Sequence, residues 1–291
     1  MKPGEKNVAV LLSTFNGAEF LSEQLDSLLA QSYGCGIYIR DDGSTDNTGD
    51  IVRLYETKYP ESVRVVRDDR GNLGYKDSFL CLLSAARADY YMFCDQDDVW
   101  KPDKVEKSLR KILELESENP DVPCCVFCNA EVSDANMTVL DSSIWHYSHT
   151  NPKYAFNPYD LSVNTIPSFG CTMIFNDAAR AALDYRQGLR NNSPGHDFAV
   201  ICLCCCYGKV AYIEEPLMLY RRHSANVSDA HNFTRSFRTI IKKFVKSPLS
   251  VLSYYRDRYD FLSALGVNPS RYKLAFSIFK KIFARAKLNL T

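Results

Sequence analysis

The chain has 291 residues, 46% of them apolar and 24% charged, with 35 basic and 35 acidic side chains. That balance excludes whole-chain disorder, and the length suits one sizeable domain or one domain with an appendage. No run of 18 uncharged apolar residues occurs and the first residues are polar, so neither a spanning helix nor a signal peptide is expected.

Apolar runs and helical stripes alternate through the first 120 residues. Val8–Leu12 reads as a buried strand. Residues 18–32 read as a helix, with Leu21, Leu25, Leu28 and Leu29 on one stripe. A strand at Ile37–Ile39 ends at Asp41-Asp42-Gly43-Ser44. A helix from Thr48 to Tyr59 ends at Pro60, and Val63–Val66 is a third strand. A helix from Lys76 to Ala86 precedes a fourth strand, Tyr90–Cys94. Pro102 then suits the first position of a further helix. Such alternation predicts an α/β fold with a mostly parallel central sheet flanked by helices.

The second half is less regular. Cys124–Asn129, Thr172–Asn176 and Val210–Ile213 read as strands, with Glu214-Glu215-Pro216 as a turn. Residues 148–167 are rich in turn residues and are expected to form a long loop over the site. A helical stretch follows Gly195-His196-Asp197. Eleven cysteines include one C-x-x-C, Cys125 to Cys128, and a cluster at Cys202 to Cys206. Their apolar flanks favour packed small hydrophobes over a zinc site.

In parallel sheets ligands bind beyond the carboxyl ends of the strands. Two of these ends are acidic: Asp41-Asp42, and Asp95-Gln96-Asp97-Asp98. Turn chemistry accounts for the first. Three carboxylates within four residues repel one another unless something positive sits between them, and a divalent cation with oxygen ligands is the natural partner.

Several motifs in order carry a resemblance to a known family: Ser-Thr-Phe-Asn-Gly (13–17), Asp-Asp-Gly-Ser-Thr-Asp-Asn-Thr (41–48), Gly-Asn-Leu-Gly (71–74), Asp-Gln-Asp-Asp-Val-Trp (95–100), Gly-Cys-Thr-Met-Ile-Phe-Asn (170–176), His-Asp (196–197) and Tyr-Arg-Arg-His-Ser-Ala-Asn (220–226). The chain resembles the inverting nucleotide-sugar glycosyltransferases of family 2, with the GT-A, Rossmann-like fold of nucleotide-diphospho-sugar transferases. Within them it looks most like the rhamnosyltransferase-type enzymes of bacterial surface-polysaccharide assembly.

The resemblance implies a nucleotide-diphosphate sugar donor, a divalent metal (Mg2+ or Mn2+), and a glycan or lipid-linked oligosaccharide acceptor. It places Asp95 near the ribose, Asp97 on the metal and Asp98 in support. Thr14 and Phe15 would line the base pocket, and Asp41 or Asp42 would meet the nucleobase or ribose. His223 would meet the metal or diphosphate, with Arg221 or Arg222 adding positive charge. Asp197 would be the general base that inversion requires, with capping of its helix as the competing role. Trp100, Gly170 and His196 would lie on the acceptor side. Ser13, where proline is common, Arg40 before the acidic pair, and His196, where many relatives carry glutamate, depart from the pattern. A nucleotidyltransferase is the alternative, but the loop after the first strand lacks the glycines and lysine that hold a triphosphate. A non-catalytic scaffold is disfavoured because the acidic residues are all present.

Residues 1–120 are expected to bind the nucleotide-sugar, 121–232 the acceptor and base, and 233–291 to form a basic helical extension. From Arg235 onward the balance is +11, against −11 before it. Lysines beside apolar residues at helical spacing point to docking on the anionic inner face of the plasma membrane from the cytoplasm. The competing roles are packing on the body and packing on a second subunit in a homodimer. Nucleic acid is not expected.

Overall fold

The computed structural model describes residues 6–185, 193–224, 226 and 248–267. Its strands are β1 (Val8–Thr14), β2 (Gly36–Asp41), β3 (Val63–Val65), β4 (Tyr90–Cys94), β5 (Val99–Trp100), β6 (Cys124–Ser133), β7 (Val139–Asp141), β8 (Met173–Asn176) and β9 (Lys209–Arg221). They form one sheet in the order β3-β2-β1-β4-β8-β6-β9-β5, with β7 on the edge of β6. The helices are α1 (Leu21–Leu29), α2 (Thr48–Lys58), α3 (Tyr75–Ala85), α4 (Lys104–Glu116), α5 (Ile144–Tyr147), α6 (Pro158–Val163), α7 (Asp177–Tyr185), α8 (His196–Tyr207) and α9 (Pro248–Ala264).

The first half is the expected parallel sheet. Val8 through Leu12 are buried on both faces, as befits a strand with helices on either side. Leu12 pairs with Ile39 and with Cys94, so β1, β2 and β4 end at one level. Thr14, Asp41 and Asp95 therefore share one edge of the sheet. From β8 onward the sheet is mixed. β8 runs antiparallel to both β4 and β6, with Met92 and Val126 opposite Ile174. This direction sets the residues just before β8, the 3-10 turn Gly170–Thr172, against the carboxyl end of β4. β5 pairs antiparallel with β9, Val99 opposite Leu219, which carries Arg221 back to the level of Asp97.

Three expectations are revised. Pro102 lies in the turn ahead of α4, which starts at Lys104 after Asp103. Glu214 and Glu215 do not end a strand. They form a bulge in β9, where the pairing jumps from Ile213 to Pro216, and Glu215 pairs with Lys107 at 2.6 Å. Residues 148–167 are not a long loop but mostly two short helical pieces. The side chains of Asn151 and Asn157 accept from Lys153 N and Tyr159 N, and Pro152 and Pro158 open each piece. An Asn-Pro pair is a helix start as readily as a turn, because asparagine caps and proline suits the first position.

Of the basic extension, most lies outside the described residues. The described part of α9 packs on the body: Phe261, Leu262 and Leu265 are buried, and Phe261 meets Phe198 at 5.5 Å. Arg258 is buried too, and donates to the carbonyls of Leu161 (3.2 Å) and Asn164 (2.8 Å). No described helix is long and apolar enough to cross a membrane. All eleven cysteines are free thiols, and none of their Sγ atoms groups with another's as a metal cluster among the described residues.

Candidate active site

The site is built at the shared edge of β1, β2 and β4. Thr14 is buried at the end of β1, and its hydroxyl donates to Gln96 Oε1 at 2.6 Å. The same oxygen accepts from Phe15 N at 2.8 Å, and the Gln96 amide returns a bond to Phe15 O at 3.2 Å. Gln96 thus ties the loop after β1 to the acidic loop after β4, a role that its place between two aspartates did not announce. Phe15 itself is 45% exposed, so its ring is available to stack on a base.

Asp41 and Asp42 separate. Asp41 is half-buried at the edge and accepts from Ser44 N (3.0 Å) and Ser44 Oγ (2.5 Å). Asp42 is buried and committed to the fold. It pairs with Arg40 and accepts from Leu73 N and Gly74 N, both at 2.8 Å. It fixes the Gly71–Gly74 loop, where Gly74 holds φ 77°, instead of meeting a nucleotide. Arg40 also bonds Asp68, at 2.8 Å through Nε, and Gly71 O, also at 2.8 Å. It is the cation of this buried network.

The acidic loop carries two groups of side chains. In the first, Asp97 Oδ2 lies 2.7 Å from His223 Nε2 and 3.3 Å from the Asn226 amide. Asn226 Oδ1 in turn accepts from His223 N at 2.6 Å. Both the Asp97 and His223 side chains keep 12% exposure. The two are directly hydrogen-bonded; once parted, the carboxylate oxygen and the imidazole nitrogen could both ligate a divalent cation such as Mn2+.

A second group joins the half-buried Asp95 with the buried Asp98 and Cys171, one ligand atom from each lying within 4.8 Å of the others. Burial, with the charge of Asp97 next, pushes the Asp95 carboxyl up to about 7 and Asp98 well above the usual range. Burial also raises the Cys171 thiol well above its ordinary value. Asp98 is fully buried: it accepts from Arg221 N at 3.1 Å through Oδ1, while its Oδ2 has no hydrogen-bond partner among the described residues and is open to a cation.

The two arginines are also reassigned. Arg221 is buried, and each of its guanidinium nitrogens donates within the protein. Nε donates to Asp97 O at 2.8 Å, Nη1 to Ala135 O at 2.9 Å and Nη2 to Glu23. It lies 4.5 Å over the Phe20 ring. It clamps the acidic loop from within the protein. Arg222 faces α5, bonding the Tyr147 hydroxyl with its guanidinium 5.2 Å from that ring.

Of the three acceptor-side residues, Trp100 is buried and packs on Lys104, so its ring offers no surface to a sugar. Gly170 and His196 do adjoin the site. A Cβ on Gly170 would sit 2.7 Å from His196 Nε2 and 3.7 Å from Asp197 Cβ, so only glycine permits this approach. The His196 ring stacks on Phe79 at 4.2 Å, and burial lowers its pKa. Asp197 stands in the first turn of α8, half-buried, with Oδ1 accepting from Phe198 N at 2.8 Å. The N-cap is Gly195 without a side-chain bond, so Asp197 gives the helix one backbone contact without being its cap. Its charge is one of the lesser causes that raise the Asp95 carboxyl.

Known proteins share this sequence and fold. The sequence profile described as glycosyl transferase family 2 matches residues 9–182. An uncharacterised glycosyltransferase of Nostoc sp. is 28% identical over 229 residues, 75% of this chain and 66% of the relative. The dTDP-rhamnosyl transferase RfbG of Shigella flexneri is 25% identical over 226 residues, 74% of this chain and 72% of the relative. The chain thus spans just under two thirds of the Nostoc protein's own length. Among solved structures, the mannosyltransferase PcManGT from Pyrobaculum calidifontis, in complex with GDP-Man and Mn2+, superposes with a TM-score of 0.55. That match covers 98% of this chain and 87% of the other at 15% identity. S. aureus TarS in complex with UDP-GlcNAc gives a TM-score of 0.53 over 88% of this chain and 71% of the other, at 17% identity. At these identities the likeness is one of fold, the GT-A fold. The profile match spans more than half of the chain and runs through every strand from β1 to β8: the chain belongs to glycosyl transferase family 2.

Proposed function

We propose that the protein transfers a hexosyl or deoxyhexosyl group, with inversion, from a nucleotide-diphosphate sugar to a hydroxyl of a glycan or lipid-linked oligosaccharide in surface-polysaccharide synthesis. One observation carries the reading. The Asp97–His223 pair belongs to the acidic loop after β4, and Asp197 abuts Gly170 in the turn that β8 sets against the end of that same strand. A rhamnosyl donor is favoured by the likeness to the Shigella flexneri transferase, whose name specifies dTDP-rhamnose chemistry.

Phe15 stacks on the nucleobase and Asp41 meets the nucleobase or ribose, both from the loops that Gln96 and Ser44 hold in place. Asp95 lies near the ribose. Asp97 and His223 would hold a divalent cation, which supplies Lewis-acid stabilisation of the departing diphosphate. Asp197 accepts the proton of the acceptor hydroxyl as its oxygen attacks the anomeric carbon from the face opposite the diphosphate. The new C–O bond forms as the bond to the diphosphate oxygen breaks. The half-buried position of Asp197 and its Phe198 N–H contact fix the direction of its second oxygen.

Docking on an anionic inner membrane surface belongs to the same reading. It draws on Lys242, Lys243, Lys246, Lys280 and Lys281, all outside the described residues. Liposomes with and without anionic lipid test that part. The core reading is tested by thermal denaturation with UDP, dTDP or GDP, each with and without Mn2+. A ligand at 100 times its Kd stabilises by about 2.7 kcal/mol, so one nucleotide with Mn2+ should raise Tm by several degrees. No shift with any pair contradicts the reading.

A further inference from the structure

The end of β9 sends its side chains to two sides, and the proposed reaction uses one of them. Arg221 and His223 turn to the acidic loop. Arg221 Nε donates to Asp97 O, His223 Nε2 meets Asp97 Oδ2, and both groups lie against the Phe20 ring, at 4.5 and 4.7 Å. Tyr220 and Arg222, the alternate residues, turn the other way, as the period of a strand requires. Tyr220 meets Phe169 at 6.1 Å, and Arg222 bonds the Tyr147 hydroxyl.

This second side leads to the base. Phe169 directly precedes Gly170, and a Cβ on Gly170 would lie 3.7 Å from Asp197 Cβ. Trp145 Nε1 donates to Pro167 O at 2.9 Å, which ties α5, and with it Tyr147, to the same segment. Tyr147, Phe169, Tyr220 and Arg222 thus belong to one region that runs from α5 to the Gly170 turn, away from the Asp97–His223 pair.

Arg222 is the group in that region which the fold does not explain. It is half-buried, and its guanidinium bonds one neutral group, the Tyr147 hydroxyl, whose ring lies 5.2 Å away. Its Nε is buried without a partner, and no carboxylate lies within 4.0 Å of the guanidinium among the described residues. A guanidinium always carries its charge, and holding it partly out of water with no anion beside it is unfavourable. Its planar fork matches the oxygens of a carboxylate or a phosphate. Aromatic side chains with a few placed polar groups are the usual lining of a small-molecule site.

We propose that Arg222 and Tyr147 form an acceptor subsite for a negatively charged group: the carboxylate of an acidic sugar, or the phosphate that joins a glycan to its lipid. The inference rests on the transfer reaction proposed above and names its acceptor as anionic. The alternation at the end of β9 then divides the work. Arg221 and His223 serve the donor through the acidic loop, and Arg222 serves the acceptor on the side of Asp197.

Arg222→Met keeps a stem against Tyr147 and removes the charge and the donors. Titration calorimetry on the full chain compares methyl glucuronoside and glucose 1-phosphate with the uncharged methyl glucoside, the donor site being filled with UDP, dTDP or GDP and Mn2+. At least one charged probe should bind wild type about tenfold or more tightly than methyl glucoside, as a charge-assisted hydrogen bond provides. The probe that does so distinguishes a carboxylate from a phosphate. In Arg222→Met that preference should shrink to within about threefold, with the nucleotide Kd also within about threefold of wild type. If Arg222→Met does not fold, Arg222→Gln carries the test with the same expected result. A wild-type chain without the preference, or a folded variant that keeps it, overturns the proposal. A variant that weakens nucleotide binding more than the charged probe also overturns it, because that places Arg222 at the diphosphate. Failure of both variants to fold does so too, making Arg222 a residue of the fold alone. If wild type binds none of the nucleotides, the transfer reading fails, and the same titrations without nucleotide still decide the subsite.

Discussion

Arg221 gives the sharpest contrast between a clamp and a ligand. Arg221→Met leaves the hydrocarbon stem over Phe20 but removes every guanidinium donor. Two backbone carbonyls lose their partners: Asp97 O, which is buried, and Ala135 O, which is partly so. An unsatisfied buried carbonyl costs about 1–3 kcal/mol, so the pair accounts for about 2–5 kcal/mol. Glu23 adds little, because its side chain is 53% exposed and rehydrates. The bond from Arg221 N to Asp98 is a backbone contact and survives. For a chain of this size about 2–4 °C of Tm accompanies each kcal/mol, so a fall of about 4–20 °C is expected in thermal denaturation without ligand. A diphosphate ligand behaves otherwise: its removal spares the apo Tm and weakens nucleotide binding. A ligand-free Tm within 1 °C of wild type, with weakened UDP or dTDP binding, would refute the clamp.

Three further outcomes follow from the geometry. Asp197→Asn keeps the acceptor for Phe198 N, so Tm should move by less than about 1 kcal/mol equivalent, while kcat falls by about 10²–10⁴-fold and nucleotide affinity holds. Asp97→Asn removes the charged half of the Asp97–His223 pair, and titration calorimetry should show Mn2+-dependent nucleotide binding reduced by at least about tenfold. Asp68 is held well below the ordinary carboxylate range, first by Arg40. A lowered folded pKa contributes stability that is complete above the unfolded value of about 4 and is lost as the pH falls below it. Asp68→Asn should therefore cost about 1–3 kcal/mol at pH 7, and denaturant titrations should show the gap to wild type closing below about pH 4.

The parts of the site carried by the ends of strands were legible in the sequence. Val8–Leu12 and Tyr90–Cys94 are apolar runs that stop at polar residues, and those residues are the site. What the sequence hid is which charges the fold consumes. Asp41 and Asp42 are adjacent letters, yet Asp42 is paired by Arg40 and the Leu73 and Gly74 amides, more than thirty residues away for the amides. Arg221 and Arg222 read as a basic pair for phosphate, but the partners of Arg221 include Glu23 and Ala135, which only the sheet brings near. Lys104 sits among Lys101, Asp103 and Lys107 and looks like a solvated helix start. Its burial depends on β8 and β9 closing over it, through Cys171 and Met218. Residues 148–167 differ from the expected loop for a local reason: Asn-Pro serves both turns and helix starts, and composition does not separate them.

The central claim is that this edge of the sheet transfers a sugar from a nucleotide diphosphate with a metal held by Asp97 and His223. The direct measurement is nucleoside-diphosphate release from dTDP-rhamnose, UDP-GlcNAc and GDP-mannose in Mn2+, repeated after chelation with excess EDTA. The account predicts turnover of one of these donors, lost on chelation and restored by added Mn2+. Turnover that persists unchanged in EDTA, or no release from any donor, would contradict it.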